Sequence, residues 1–157
     1  MNGDFFRLAL ICALGALLIV AAITDLRSRI ISNRLNLIVA ALAPLWWIAC
    51  GLSLWPDVVV QLGAGIVVFA LFAGLFALGM MGGGDVKLLG ALALWFPWQV
   101  LLSLLVLMAL LGGAVTVVTV IDHKLRKKQG QAEIPYGVAI SIAALWVLGE
   151  QYLNHFA

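Results

Sequence analysis

Long apolar runs dominate the sequence, and almost every charged residue lies between them. Of the 157 residues, 65% are hydrophobic and 10% are charged, and the mean hydropathy is +1.17. Several runs approach the roughly 20 residues that a helix needs to cross the hydrocarbon of a bilayer. Apolar and polar residues do not alternate as they do in transmembrane β-barrels. The sequence therefore predicts an all-α, polytopic membrane protein, because helices satisfy their own backbone hydrogen bonds.

About six spans fit these runs, and we expect residues 1–157 to form one transmembrane domain. The fourth span is short, so it either begins inside the membrane plane or lies where the bilayer is thinner. The predicted spans are Phe5–Thr24, Leu35–Cys50, Val58–Met80, Asp85–Phe96, Gln99–Ile121 and Ile134–Leu153.

Basic residues mark one side of the predicted bundle. Lysine and arginine are enriched in cytoplasmic loops, so we expect that side in the cytoplasm, both termini outside, and anionic lipid at the basic loops. No nucleic-acid partner is expected. Five tryptophans fall near the opposite ends of the spans, where an interfacial belt is expected: Trp46, Trp47, Trp55, Trp95 and Trp98. Eight of the nine basic residues lie on the cytoplasmic side: Arg27, Arg29, Arg34, Lys87, Lys124, Arg126, Lys127 and Lys128.

Two aspartates are the main candidates for chemistry. Asp25 follows the first span and Asp85 begins the fourth, so the alternating topology places both carboxylates at the cytoplasmic surface. Ionisable residues at membrane depth are costly and are often functional. A single carboxylate at a helix end is also commonly an interfacial residue or a cap. A shared site is favoured because both carboxylates are expected at the same depth in the membrane.

A glycine cluster stands directly before Asp85. We expect these three residues, Gly82, Gly83 and Gly84, to end the third helix and to leave backbone that a substrate strand can approach closely. A flexible turn between helices is the alternative. For Lys87 we expect a side chain that extends to the lipid headgroups.

Three segments resemble motifs of the prepilin and preflagellin peptidases, a family of membrane aspartic proteases. The G-G-G-D-V-K segment resembles the family's GxGDxK motif, with Gly82, Gly84, Asp85 and Lys87 at the motif positions. The D-L-R-S-R-I-I-S-N segment resembles its other aspartate motif, with Ser32 in place of the usual proline and with Asp25, Arg27, Ile31 and Asn33 in place. The late I-P-Y-G-V-A-I segment resembles its closing P-[FY]-G element, here Pro135, Tyr136 and Gly137.

The resemblance implies an activity and a substrate class. The expected reaction is hydrolysis of the bond between a short basic leader and the apolar helix of a pilin-like precursor, at the cytoplasmic face of a bacterial inner membrane. Asp25 and Asp85 are the expected catalytic pair, and the other motif residues are expected to bind substrate or shape loops. No metal or other cofactor is expected. Family members that also methylate their product carry a longer amino-terminal region with paired CxxC motifs. The expectation here is the short, peptidase-only form of tight-adherence (Flp-type) pilus systems or of archaeal preflagellins.

Two carboxylates that share a site do not both ionise readily. One can therefore act as a base toward water while the other donates a proton to the scissile carbonyl. Because Asp85 begins a helix and Asp25 ends one, the helix dipoles favour charge on Asp85. The hypothesis is that Asp85 is the base and that Asp25 carries the proton.

Two other functions use the same residues. A small proton- or cation-coupled transporter also needs intramembrane carboxylates, but it would favour one near the midplane or polar residues through the bundle. Both aspartates lie at one surface, and the outer halves of the spans are nearly wholly apolar. A non-enzymatic assembly subunit would leave the matching depth of the aspartates unexplained.

Overall fold

A computed structural model describes residues 2–125 and 134–156. Within these ranges the chain forms six α-helices and no strand, so the predicted all-α fold is confirmed. A π-helical turn, Leu54–Val58, leads into the third helix. The helices are α1 Asn2–Ser28, α2 Asn33–Cys50, α3 Val59–Ala77, α4 Gly83–Ala93, α5 Trp98–Leu125 and α6 Tyr136–Phe156.

Four of these helices are long and apolar enough to cross a membrane. They are α1, α2, α5 and α3 with the π-helical turn that precedes it. The apolar part of α6 found among the described side chains runs over Tyr136–Gln151 and is shorter. Arg126, Lys127 and Lys128 lie outside the described residues, so the orientation of the bundle and the location of its termini stay predictions.

The short helix α4 lies at the centre of the bundle. It has 11 residues and therefore extends about 16 Å, far less than its neighbours. From Asp85 to Ala93 every residue except Lys87 is buried, and α4 packs against α2, α3 and α6. After Lys87 the helix is apolar on all sides, and such a helix belongs in the interior. The remaining close pairs join α1 to α2 and α6, and α5 to α6.

Glycines let α3 approach α4 closely. A Cβ added to Gly65 would lie 2.7 Å from Leu94 Cδ2, and one added to Gly90 would lie 3.0 Å from Phe69 Cδ2. Helices in membranes pack through such small residues because no hydrophobic effect drives them together. The α3–α4 contact therefore depends on the absence of these two side chains.

The third helix, α3, ends earlier than predicted, and a different glycine terminates it. Gly79 has φ of 72°, and its N–H donates to the Phe76 carbonyl at 2.9 Å. A left-handed residue just after the last turn is a common helix terminator. The prediction that Gly82, Gly83 and Gly84 end this helix is wrong, because these residues begin α4.

Side chains from α2 and α3 bind the backbone at the far end of α4. Gln61 Nε2 donates to the carbonyls of Ala93, at 3.0 Å, and Phe96, at 2.6 Å. Trp47 Nε1 donates to the Leu94 carbonyl at 2.7 Å. The last carbonyls of a helix lack intrahelical partners, and a bilayer offers no water to replace them. Neighbouring helices supply the missing donors here.

Trp95 is not part of an interfacial belt. It is 3% exposed, donates from Nε1 to the Val39 carbonyl at 2.9 Å, and stacks on Trp46 with ring centroids 5.7 Å apart. The prediction of an interfacial position is wrong for Trp95. This residue follows α4, which is too short to reach the membrane surface. Trp55 and Trp98 are exposed, as a belt requires.

We expect Gln61→Leu to destabilise the fold by about 1–3 kcal/mol, because it leaves buried carbonyls without donors. The measurement is the midpoint of reversible unfolding in detergent. Gln99→Leu is the matched control, since Gln99 is exposed and its side chain makes no hydrogen bond with the described residues. Equal midpoints for the two variants would contradict the role assigned to Gln61.

Candidate active site

Asp25 lies in the last turn of α1 and is held against the start of α6. Its side chain is 4% exposed, and Oδ2 accepts the N–H of Val138 at 3.1 Å. A Cβ added to Gly137 would lie 2.9 Å from Cγ and Oδ2 of Asp25. The first N–H groups of a helix are unpaired and carry partial positive charge. A glycine at position 137 therefore lets the carboxylate reach these groups.

Asp85 lies in the first turn of α4. Gly82 is the N-cap residue, and Asp85, three residues later, is 7% exposed. Its carboxylate folds back over the cap, because a Cβ added to Gly82 would lie 2.9 Å from Asp85 Oδ2. A capping box uses an acidic side chain at this position in the same way. The glycine leaves the space that the carboxylate occupies.

Ile31 joins the two halves of the site. A Cβ added to Gly84 would lie 3.0 Å from the Ile31 carbonyl oxygen, and one added to Gly137 would lie 2.6 Å from Ile31 Cδ1. The residue therefore packs between the start of α4 and the start of α6. Gly84, which precedes Asp85, and Gly137, which contacts the Asp25 carboxyl group, both pack against this one side chain. The structure thus brings both aspartates into one buried site.

The connection from α1 to α2 has a defined shape. Arg29 has φ of 56°, and its N–H donates to the Asp25 carbonyl at 3.0 Å, which ends α1 in a left-handed turn. Ser32 caps α2 with φ of −68°, and its Oγ accepts the Leu35 N–H at 3.2 Å. Since proline also holds φ near −65°, serine keeps the backbone that the usual proline would give and adds a cap.

The other predicted site residues differ in their exposure and in their hydrogen bonds. Lys87 Nζ donates to Asn33 Oδ1 at 2.8 Å, so its ammonium binds a motif residue, where the sequence had suggested lipid headgroups. Arg27 is exposed and makes no hydrogen bond or ion pair with the described residues. Pro135 is buried directly before α6. The Tyr136 ring packs against α5, 3.4 Å from a Cβ added to Gly112.

Sequence reasoning missed Asn36. This residue is 4% exposed, and its Nδ2 donates to the Gly84 carbonyl at 3.0 Å, which fixes the peptide that precedes Asp85. Its Oδ1 is buried and has no partner among the described residues. An amide inside an apolar span, one turn after the Ser32 cap, is the signal that could have identified it.

Helix direction does not distinguish the two carboxylates. Asp25 ends α1, but its Oδ2 lies at the amino end of α6, and Asp85 lies at the amino end of α4. Both therefore occupy positions that favour negative charge. The hypothesis that Asp25 carries the proton rested on its own helix alone and loses that basis.

We expect Gly137→Ala to destabilise the protein, because the new methyl group would overlap Ile31 and the Asp25 carboxyl group. Gly74→Ala is the control, since nothing lies within 4 Å of a Cβ added there. Alanine in an open helical position should stabilise by about 0.5–1 kcal/mol. Unfolding midpoints in detergent should therefore shift in opposite directions. A shift in the same direction for both would contradict the close packing around Asp25.

The chain matches a known protein family. Residues 12–117 match the model of the type IV leader peptidase family, Peptidase_A24. No curated protein and no solved structure gives a significant match. The match includes both aspartates and the glycine cluster, and the Pro135–Gly137 element lies beyond it. Since it covers more than half of this multi-pass membrane protein, the chain belongs to the type IV leader peptidase family.

Proposed function

We propose that this protein is an aspartic endopeptidase that removes the short basic leader of pilin-like precursors. Family membership supports peptide hydrolysis. One observation supports the aspartic mechanism: two buried carboxylates, from α1 and α4, share a site at one end of the bundle. Ionisable groups buried at membrane depth are costly to keep, so their pairing favours a catalytic role over a structural one.

The pair supplies both proton transfers that peptide hydrolysis needs. The ionised carboxylate removes a proton from water, which attacks the scissile carbonyl, and the protonated partner donates to the carbonyl oxygen. When the tetrahedral intermediate collapses, the C–N bond breaks and the carboxyl group that took the proton from water gives it to the leaving amine. The other carboxylate takes back its proton from the hydroxyl group that becomes the new carbonyl. Because the two carboxylates interact, the resting proton belongs to the pair. The helix starts of α4 and α6 stabilise the remaining negative charge.

The charge distribution supports a cytoplasmic active site. Four basic residues are exposed at the same end of the bundle as the aspartates: Arg27, Arg29, Arg34 and Lys87. Basic residues at a span end favour the cytoplasmic side and bind anionic headgroups. We therefore place the reaction at the cytoplasmic face of a bacterial inner membrane.

The interior of the bundle disfavours the transporter alternative. A cavity of about 730 Å³ lies at the opposite end, lined by polar groups that include Arg7 and Gln61. The expectation of nearly wholly apolar outer halves is wrong at this cavity. Between it and the aspartates, however, α4 places three fully buried leucines, Leu88, Leu89 and Leu92. A conduction path would need polar groups there.

Cleavage of a co-expressed pilin-like precursor tests the proposal. Asp25→Asn and Asp85→Asn should each abolish the leader-sized mobility shift, because a neutral amide can neither take up the proton nor share it. Asp57→Asn is the control carboxylate. Asp57 lies just before α3, outside the aspartate site, where its Oδ2 binds Ser53, and this variant should cleave as the wild type does. Full cleavage by either site variant, at normal membrane levels, would exclude this catalytic pair.

A further inference from the structure

An open groove runs along α4 between α2 and α3. Its volume is about 620 Å³. Each of the three helices contributes one stripe of residues at helical spacing, so the groove is parallel to α4. The walls and floor are mainly apolar and include Leu37 and Ala40 of α2, Ile66 and Phe69 of α3, and Ala91 and Leu94 of α4.

The groove begins beside the aspartate site. Asn33 and Lys87 line that end and are hydrogen-bonded to each other. Residues two apart on a helix point to opposite sides, so Lys87 faces the groove while Asp85 faces α1 and α6. A chain leaving the groove would cross the start of α4, where Gly82 is exposed and has no side chain. A helix is about 10 Å wide, so roughly three extended residues complete the crossing.

Asn36 gives this end of the groove an unused acceptor. The residue lines the groove, its Nδ2 is bound to the Gly84 carbonyl, and its buried Oδ1 has no partner among the described residues. A buried polar atom without a partner is unfavourable and calls for an explanation. The first N–H groups of any helix also lack partners, and hydrocarbon offers no water to supply them. Asn36 Oδ1 is closed to solvent in this structure, so a helix that begins at Asn36 would satisfy both after the amide turns its oxygen toward the groove.

We propose that this groove is the docking site for the apolar helix of the precursor, with the first turn of that helix at Asn36. The inference rests on the proposed function, because the expected cleavage site lies just before such a helix. A peptidase with its carboxylates at the start of α4 must hold the helix alongside α4 while the bond before it reaches the site.

The shape and polarity of the groove fit this occupant. Small residues allow close approach between helices in membranes, and five of them line the groove: Ala40, Gly65, Ala70, Gly90 and Ala91. The polar groups are confined to the end near the aspartates, where the apolar helix of the precursor would begin. A lipid chain or a second copy of the protein would not use the Asn36 acceptor in this way.

Two adjacent residues of α3 provide a matched test. Ile66 and Val67 are 69% and 66% exposed, but only Ile66 lines the groove. Cys12 and Cys50 are first replaced by serine, and Asp85→Asn is added to prevent cleavage. Ile66→Cys or Val67→Cys is then oxidised in membranes with a precursor that carries one cysteine in the second or third turn of its apolar helix. We expect disulfide-linked complex with Ile66→Cys and only background with Val67→Cys.

Other linkage patterns would overturn the docking site. These are equal linkage at both positions, linkage at neither, and linkage between two copies of the peptidase through Ile66→Cys that persists when precursor is added. The cleavage-competent protein separates this result from the proposed function. If it cleaves the precursor while the linkage pattern fails, the function stands and the groove does not. If it does not cleave, the proposed function fails, and the linkage pattern still decides whether the groove holds the helix.

A second pair of variants tests Asn36. Asn36→Leu keeps a similar shape and removes both amide contacts, so we expect less linked complex through Ile66→Cys. Gln61→Leu removes a buried amide from the other end of α4 and should leave the linkage unchanged, which controls for lost stability. Equal linkage in the two variants would remove Asn36 from the docking site.

Discussion

Inside a bilayer, a carboxylate lacks water and the first N–H groups of a helix lack partners. In this protein one contact satisfies both, because Asp25 Oδ2 accepts the Val138 N–H at the start of α6. The contact is possible only where the chain has no side chain at position 137. It fixes α6 against α1 and thereby places Ile31, which packs against Gly84 at the start of α4. The position of Asp85 therefore depends on a contact made by the other aspartate.

The short length of α4 explains much of the remaining architecture. A full span would satisfy its terminal carbonyls at the membrane surface, whereas α4 ends inside the bundle. Gln61 and Trp47 therefore donate to its last turn and to the residues that follow. The space beyond this end is left as the cavity lined by Arg7 and Gln61. A central helix of this length thus needs donors from its neighbours and leaves a hollow on the side away from the aspartates.

Local sequence predicted the features that depend on local chemistry. Apolar length located the helices, and the position of Asp25 and Asp85 at span ends placed both carboxylates at one end of the bundle. Features that depend on tertiary partners could not be predicted in this way. The glycines before Asp85 are compatible with the end of one helix or the start of the next, and the left-handed turn at Gly79 decides between them. Likewise, tryptophan is a residue type typical of the membrane interface, and Trp95 is buried only because α4 is short.

The two buried amides that bind the α4 backbone differ in a way that bears on function. Gln61 donates to two carbonyls at the far end and leaves no buried atom of its own without a partner among the described residues. Asn36 donates to Gly84 at the aspartate end but keeps an unpaired buried acceptor. Stability alone would favour an apolar side chain over an amide with only one of its two polar atoms hydrogen-bonded. An unpaired amide oxygen lies near Asp85, and none lies among the described residues at the other end of α4. This difference is expected if a further polar group binds near the aspartates. The groove that begins at Asn36 shows where the chain carrying that group would lie.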